Sequence, residues 1–255
     1  MSLPPGSQAL AWRVEWLEEA GSTNDLLIEH ARRGEAEGLV IAARSQTRGR
    51  GRQGRAWHSP PGTGLYFSAL FRPPKTPEEA RLLTLLAGVA VAEGLSSLAG
   101  PPVGLKWPND LRISRKKVGG ILCEYEPKGG PPPAVVAGVG VNLAGEESDF
   151  PPELRGRATS LKMAGKGAPE AWETLGLLLR HLDFWYKVFC DTGFEPVRKR
   201  WMEICDNLGE EVAVSSGGET QRGKVAGIDA SGRLLLHGAG GVLLQIGRAS
   251  CRERV

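Results

Sequence analysis

The chain has 255 residues, a length at which roughly one to two domains are expected and a large core can be buried without metals or disulfides. Hydrophobic residues make up 41% and charged residues 24%, which excludes a disordered or fibrous protein. The net charge of +3 falls short of the basicity of a protein that coats nucleic acid, and no apolar run approaches the ~18 residues needed to span a bilayer.

In chain order, residues 1–10 read as a loose leader without the basic and apolar regions of a signal peptide, so a soluble, cytoplasmic protein is expected. Residues 12–17 alternate as a strand. Gly21-Ser22-Thr23-Asn24 supplies capping residues for a helix over about 24–33, stopped by Gly34. Residues 39–43 form a buried strand, 46–64 a long loop, and 65–71 a further strand. Pro77 opens one apolar helix to about residue 98. Short strands follow around 103–107, 111–114 and 118–126, then a continuous apolar strand over 134–143. An irregular stretch (144–168) leads to helices over about 169–190 and 195–205.

Near Asn207 the pattern changes to short alternating segments separated by Gly or Ser, at 211–215, 221–228, 233–237 and 242–246. The reading is an α+β domain over 1–206 and a small β-barrel domain over 207–246. Residues 247–255 lack strand alternation and read as a non-native or disordered tail. The four cysteines and four histidines show no metal-ligand spacing, so no protein metal site is expected.

The strongest local signal is Arg44-Ser45-Gln46-Thr47-Arg48-Gly49-Arg50-Gly51-Arg52-Gln53-Gly54-Arg55. Gly49 to Gly54 formally matches a dinucleotide fingerprint, but Ala56-Trp57-His58-Ser59-Pro60-Pro61-Gly62 cannot open the helix that fingerprint requires. Like charge at this density opposes order in the loop. Charge pattern alone leaves two readings: a solvated or nucleic-acid-facing basic loop, and a cradle in which glycine backbone and arginine forks close on a small anion.

Lys106-Trp107-Pro108-Asn109-Asp110 ends one strand and turns into the next, with Lys117 seven residues on. Alone it reads as a turn with surface lysines. Gly119-Gly120 and Gly138-Val139-Gly140, however, weaken their strands unless something packs on bare backbone, which points to a slot for a flat, largely apolar ligand. Trp57 could equally anchor its loop, and Asn142 could cap a strand end.

Taken together, Gly21 to Asn24, Gln46 with Gly49 to Arg55 and Trp57, Lys106 to Asp110, Lys117 to Leu122 with Glu124, and Gly138 to Asn142 closely resemble the biotin protein ligase family in order and spacing. Gly227-Ile228-Asp229 with Gly232 and Leu234 to Leu236 resembles that family's C-terminal module. The resemblance implies a class II synthetase-like mixed sheet with flanking helices, followed by a small SH3-like barrel. It implies that biotin and ATP, with Mg²⁺, are converted to biotinyl-5′-adenylate. Biotin then passes to a lysine of a biotin carboxyl carrier domain of a biotin-dependent carboxylase.

Carried over by motif, Ser22, Thr23 and Asn24 would face the biotin head group. Gln46, Arg50, Gly51 and Arg52 would wrap its carboxylate and the adenylate phosphate, with Lys117 bridging the two. Gly119, Gly120 and Gly138 would let the rings lie on backbone, Trp57 would cover the adenine, and Asn142 would bond near it. Lys106 and Asp110 would sit beside the reacting phosphate. Only about 20 residues precede Ser22, so a ligase without the DNA-binding domain of some relatives is expected, and the near-neutral charge and the lack of a long apolar run argue against a nucleic-acid or membrane partner. Monomer and homodimer both stay open.

Overall fold

The computed structural model describes residues 10–98, 100–216, 219–239, 243–247 and 250–253. Of the predicted leader only Leu10 lies among them, and of the predicted tail residues 248, 249, 254 and 255 lie outside them. In chain order, the first half contains β1 (Arg13–Leu17), α1 (Thr23–Arg32), β2 (Leu39–Ala43) and β3 (Gly64–Phe71). Next come α2 (Pro77–Ala80), α3 (Leu83–Ser96), β4 (Gly104–Lys106), β5 (Asp110–Ile113), β6 (Lys116–Glu126) and β7 (Ala134–Asn142). The long helix α4 (Ala171–Thr192) and the shorter α5 (Glu195–Ile204) complete the first unit.

The seven strands form one sheet in the order β1-β2-β3-β7-β6-β5-β4. The β1–β2 pair is parallel and the remaining pairs are antiparallel, so the sheet is mixed. Side chains on a strand alternate between faces, and β7 shows what each face meets. Val135, Ala137, Val139 and Val141 enter the main core with Leu83, Leu86 and Val89 of α3 and Leu178 and Leu182 of α4. Ala134 and Val136 face the other way, into a smaller cluster with Leu27 and Ala31 of α1. Farther along that second face come Gly138, Gly140 and Asn142, where the apolar packing stops.

Helix α1 ends where Gly34 takes φ +85°, a left-handed conformation that glycine adopts without a Cβ penalty. The single apolar helix expected after Pro77 is two. A capping box between Thr76 and Glu79 starts α2, and a tight Leu82 N–H bond to the Glu79 carbonyl breaks the run before α3.

The second sheet comprises β8 (Glu211–Ser216), β9 (Glu219–Ile228), β10 (Leu234–His237), β11 (Leu243–Ile246) and β12 (Ser250–Glu253). Its order is β11-β10-β9-β8-β12, all antiparallel, and no β11–β12 pairing closes it into a barrel among the described residues. Strand β12 corrects the expectation of a tail without strand structure. Ser250–Glu253 pairs with Val212–Ser215 of β8 through main-chain groups, which needs no hydrophobic alternation.

This sheet packs on the first unit, and Val212, Val214, Val225 and Leu236 belong to the same apolar cluster as α3. The Trp107 indole N–H donates to the Gly232 carbonyl at 3.1 Å. Buried Arg112 on β5 meets Asp206 at 3.3 Å. The turn carrying the Lys106-to-Asp110 motif is thereby tied to the β9–β10 turn. No helix among the described residues is long and apolar enough to cross a membrane.

Candidate active site

The N-terminus of α1, the Arg–Gly loop and the bare stretch of β6 and β7 meet on one face of the first sheet. Ser22, Thr23 and Asn24 are all buried. Ser22 occupies the cap position of α1 without a side-chain capping bond. Thr23 instead donates from both N and Oγ1 to Gln46 Oε1, at 2.9 and 3.2 Å. Gln46 Nε2 continues to Ser59 Oγ at 3.1 Å, and Ser59 Oγ to the Trp57 carbonyl at 3.1 Å. Gln46 is thus bonded to the α1 residues, whereas the resemblance sets it beside the carboxylate and phosphate.

Asn24 lies directly over Gly138. A Cβ on Gly138 would overlap the Asn24 amide. That amide donates to the Leu122 carbonyl (3.1 Å) and to Glu124 Oε2 (2.8 Å), and its oxygen accepts from Ser68 Oγ (2.5 Å). Gly138 thus makes room for Asn24.

Next along this face, Gly120 and Gly140 pair across β6 and β7, with the Trp57 ring over them. A Cβ on Gly140 would lie 2.5 Å from Trp57 Nε1, and one on Gly120 would lie 3.6 Å from Cζ3. The Trp57 Nε1 atom is buried without a hydrogen-bond partner. Gly119, in contrast, faces the main core. Its missing Cβ would strike the Gly140 carbonyl at 2.7 Å and Leu111 Cδ1 at 2.8 Å. Adjacent strand residues point to opposite faces, so the two glycines cannot both line one slot.

The charged groups gather at the same place. Lys117 Nζ is paired with Asp110 and stands 5.3 Å from the Trp57 ring centroid. Its main chain is held by the 157–159 segment, with Lys117 N–H on the Arg157 carbonyl (2.9 Å) and Thr159 N–H on the Lys117 carbonyl (2.8 Å). Asp110 lies opposite Lys106 across β4–β5 and opposite Gly120 across β5–β6. Burial lowers the pKa of Arg52, Asp110 pulls it back up, and Arg55 lowers it further; a guanidinium remains cationic throughout. Arg50 is taken up by carboxylates, Asp25 at 2.8 Å and Glu124 closer still. Asn142, the next residue of β7 on this face, donates to the Thr159 carbonyl at 2.9 Å. It borders a small pocket with His58, Thr63, Asp149 and Phe150.

The Arg–Gly loop is pinned rather than loose. Thr47 and Arg48 N–H groups bond to Ala20 and Gly21, Trp57 N–H to Gly49, and Gly51 N–H to Arg55. A one-turn 3-10 helix over Arg52–Gly54 replaces the helix of a dinucleotide fold. Ser68, Asp25 and Gly140 complete the site without having been singled out as site residues. Gly140 was legible, because it shares the period-2 face of Gly138, and Ser68 sits opposite Gly138 in the β3–β7 register. Among the described residues no group of three His, Cys, Asp or Glu could hold a metal.

Residues 17–142 match the Biotin/lipoate A/B protein ligase family, and residues 208–251 match the Biotin protein ligase C terminal domain. A biotin--[acetyl-CoA-carboxylase] ligase of Paracoccus denitrificans is 34% identical over 205 residues, covering 79% of this chain and 85% of that one. A bifunctional ligase/repressor BirA of Bacillus spizizenii is 35% identical, with 92% of this chain and 73% of that one covered. The biotin protein ligase of Aquifex aeolicus, solved in complex with biotin and ATP, superposes with a TM-score of 0.81 at 31% identity. That match covers 94% of this chain and 99% of that one. On this evidence the chain belongs to the biotin protein ligase family.

Proposed function

We propose that the chain is an ATP-dependent biotin ligase that makes biotinyl-5′-adenylate and then transfers biotin to a lysine of a biotin carboxyl carrier domain. The observation that supports this most is a linear order along β7: the polar cluster of Thr23, Asn24 and Gln46 at Gly138, the glycine surface on which Trp57 packs at Gly140, and Asn142 beyond. That order suits a ligand with a neutral hydrogen-bonding head, an apolar middle and an anionic end joined to a nucleotide. A ureido head needs fixed neutral donors and acceptors, which Ser22, Thr23, Asn24 and Gln46 offer.

In the first step a biotin carboxylate oxygen attacks the α-phosphorus and pyrophosphate leaves. Two anions must meet, so preorganised positive charge is the main catalytic device. Lys117, held by Asp110, bridges the carboxylate and α-phosphate, and Arg52 with the Gly51 backbone closes over them. Lys106 lies beside the reacting phosphate. Trp57 covers the adenine, and Asn142 bonds near it. In the second step the carrier lysine amine attacks the acyl carbonyl, AMP leaves, and the amine proton is released. Mg²⁺ accompanies ATP, held mainly by phosphate oxygens. The carrier of a biotin-dependent carboxylase is the macromolecular partner, and the cytoplasm the compartment.

Incubation with biotin, ATP and Mg²⁺ tests the first step by mass spectrometry. A biotinyl-adenylate mass that requires all three supports the reading. Its absence with folded protein, or a stronger product with lipoate, refutes it.

A further inference from the structure

Arg50 stands in the middle of the Arg–Gly loop, yet its charge is taken up inside the protein. A single nitrogen, Nη2, reaches both Asp25 Oδ1 and Glu124 Oε2. Asp25 lies in the first turn of α1 and Glu124 lies on β6. This one group therefore fastens the loop to two elements at once.

The same Glu124 oxygen also accepts from Asn24 Nδ2 at 2.8 Å. An asparagine amide has two orientations that exchange donor for acceptor. Ser68 Oγ can serve either one. The Leu122 carbonyl and the Glu124 carboxylate accept only, so both demand the NH₂ end. Turning the amide over would set its oxygen against a carboxylate in a buried place, which is costly. Glu124, with the Leu122 carbonyl, thus fixes which end of Asn24 faces β6 and which end faces Ser68.

We infer that Glu124 is a positioning residue that couples the head-group pocket to closure of the Arg–Gly loop, acting through Asn24 on one side and Arg50 on the other. The inference rests on the biotin reading for the ligand's identity. It makes the Arg50 side chain a latch and leaves anion contact to Arg52 and Lys117. Glu124 is half-buried and Asp25 more open, so the latch is strong enough to hold and weak enough to release product.

Three variants separate the parts. Glu124→Gln keeps the size and an acceptor for Asn24 but removes the negative charge that faces Arg50. Glu124→Asp keeps the charge. Asp25→Asn removes the second carboxylate from an open helix turn and carries the loop test should Glu124→Gln not fold. Trypsin digestion of the substrate-free protein reads the latch directly. Cleavage at Arg52 and Arg55 is expected to rise about fivefold in Glu124→Gln and about twofold in Asp25→Asn.

In biotin-dependent ATP–pyrophosphate exchange, Glu124→Gln is expected to raise the KM for biotin about tenfold. Its kcat should change less than about twofold, because saturating ligand recloses the loop. Glu124→Asp should recover most of both effects. A merely structural role would lower the melting temperature and kcat together at constant KM, and that outcome overturns the inference. Unchanged cleavage in folded Glu124→Gln overturns it as well. If the unmodified protein shows no biotin-dependent exchange, the biotin reading fails, while the digestion still decides the latch.

Discussion

Alanine at Gly119, Gly120 and Gly138 adds the same methyl group to three different environments, and the account predicts three different outcomes. At Gly120 the new Cβ would lie 3.4 Å from Lys117 Cε and 3.6 Å from Trp57 Cζ3, which are ordinary contacts. The protein should lose no stability and gain up to about 0.5–1 kcal/mol from reduced chain entropy. The methyl then occupies the slot floor, so biotin affinity should fall at least about tenfold, equivalent to about 1.4 kcal/mol.

At Gly119 the Cβ would press on the Gly140 carbonyl at 2.7 Å and Leu111 at 2.8 Å, on the core face. Overpacking of this kind costs about 1–3 kcal/mol. For a chain of this length that is a fall of about 2–4 °C in melting temperature per kcal/mol. At Gly138 the methyl would displace the buried Asn24 amide with its bonds to Leu122, Glu124 and Ser68. About 2–4 kcal/mol of stability and most of the biotin affinity should go together. Calorimetric melting and biotin titration on the three variants read both quantities. Wild-type biotin affinity in Gly120→Ala, or loss of affinity in Gly119→Ala without destabilisation, would refute the assignment of faces.

Three further outcomes are expected. Lys117→Ala should lower adenylate formation by ~10²–10³ with little change in melting temperature, since the group is a half-exposed site lysine; an unchanged exchange rate would remove Lys117 from the mechanism. Trp107→Phe should cost about 1 kcal/mol by leaving the Gly232 carbonyl without its donor, seen as a lower melting temperature; no shift would mean that the turn–module contact is not energetically coupled. Burial would raise the pKa of Glu93, but the His181 ring beside it and the bonds from Trp185 and Arg200 outweigh that and hold the value at about 2. A depressed carboxylate pKa stabilises the fold above its unfolded value of about 4.5, and that contribution is lost as pH falls toward about 2. Glu93→Gln should therefore flatten the stability curve between those limits, as measured by denaturant titration at several pH values; an unaltered slope would contradict this.

Much of the fold was legible because periodicity carried it. The apolar run of β7 and the alternation of β8 to β10 each correspond to a strand the sequence already marks. That the motifs would meet in space was also legible, since Gly, Arg and Lys there have few structural reasons to cluster, and the fold brings Asn24, Trp57, Asp110 and Lys117 to one face of the sheet. What stayed hidden depends on main-chain pairing or on residues distant in sequence. Strand β12 is held by the free edge of β8 and has no pattern of its own. Gly119 and Gly120 look equivalent in a string, whereas the pleat sends them to opposite faces. Ser68 becomes part of the site only because the β3–β7 register sets it opposite Gly138. The 157–159 segment inside an irregular stretch holds Lys117 in place. Like charge in the Arg–Gly loop argued for disorder, and the answering carboxylates, Asp25, Asp110 and Glu124, come from three separate elements.

The most direct test of the central claim is exchange of labelled pyrophosphate into ATP by the purified chain, with and without biotin. The account predicts exchange that requires both biotin and Mg²⁺, is not supported by lipoate, and is lost in Lys117→Ala. Exchange independent of biotin, or its absence in folded protein at saturating biotin and ATP, would contradict the account.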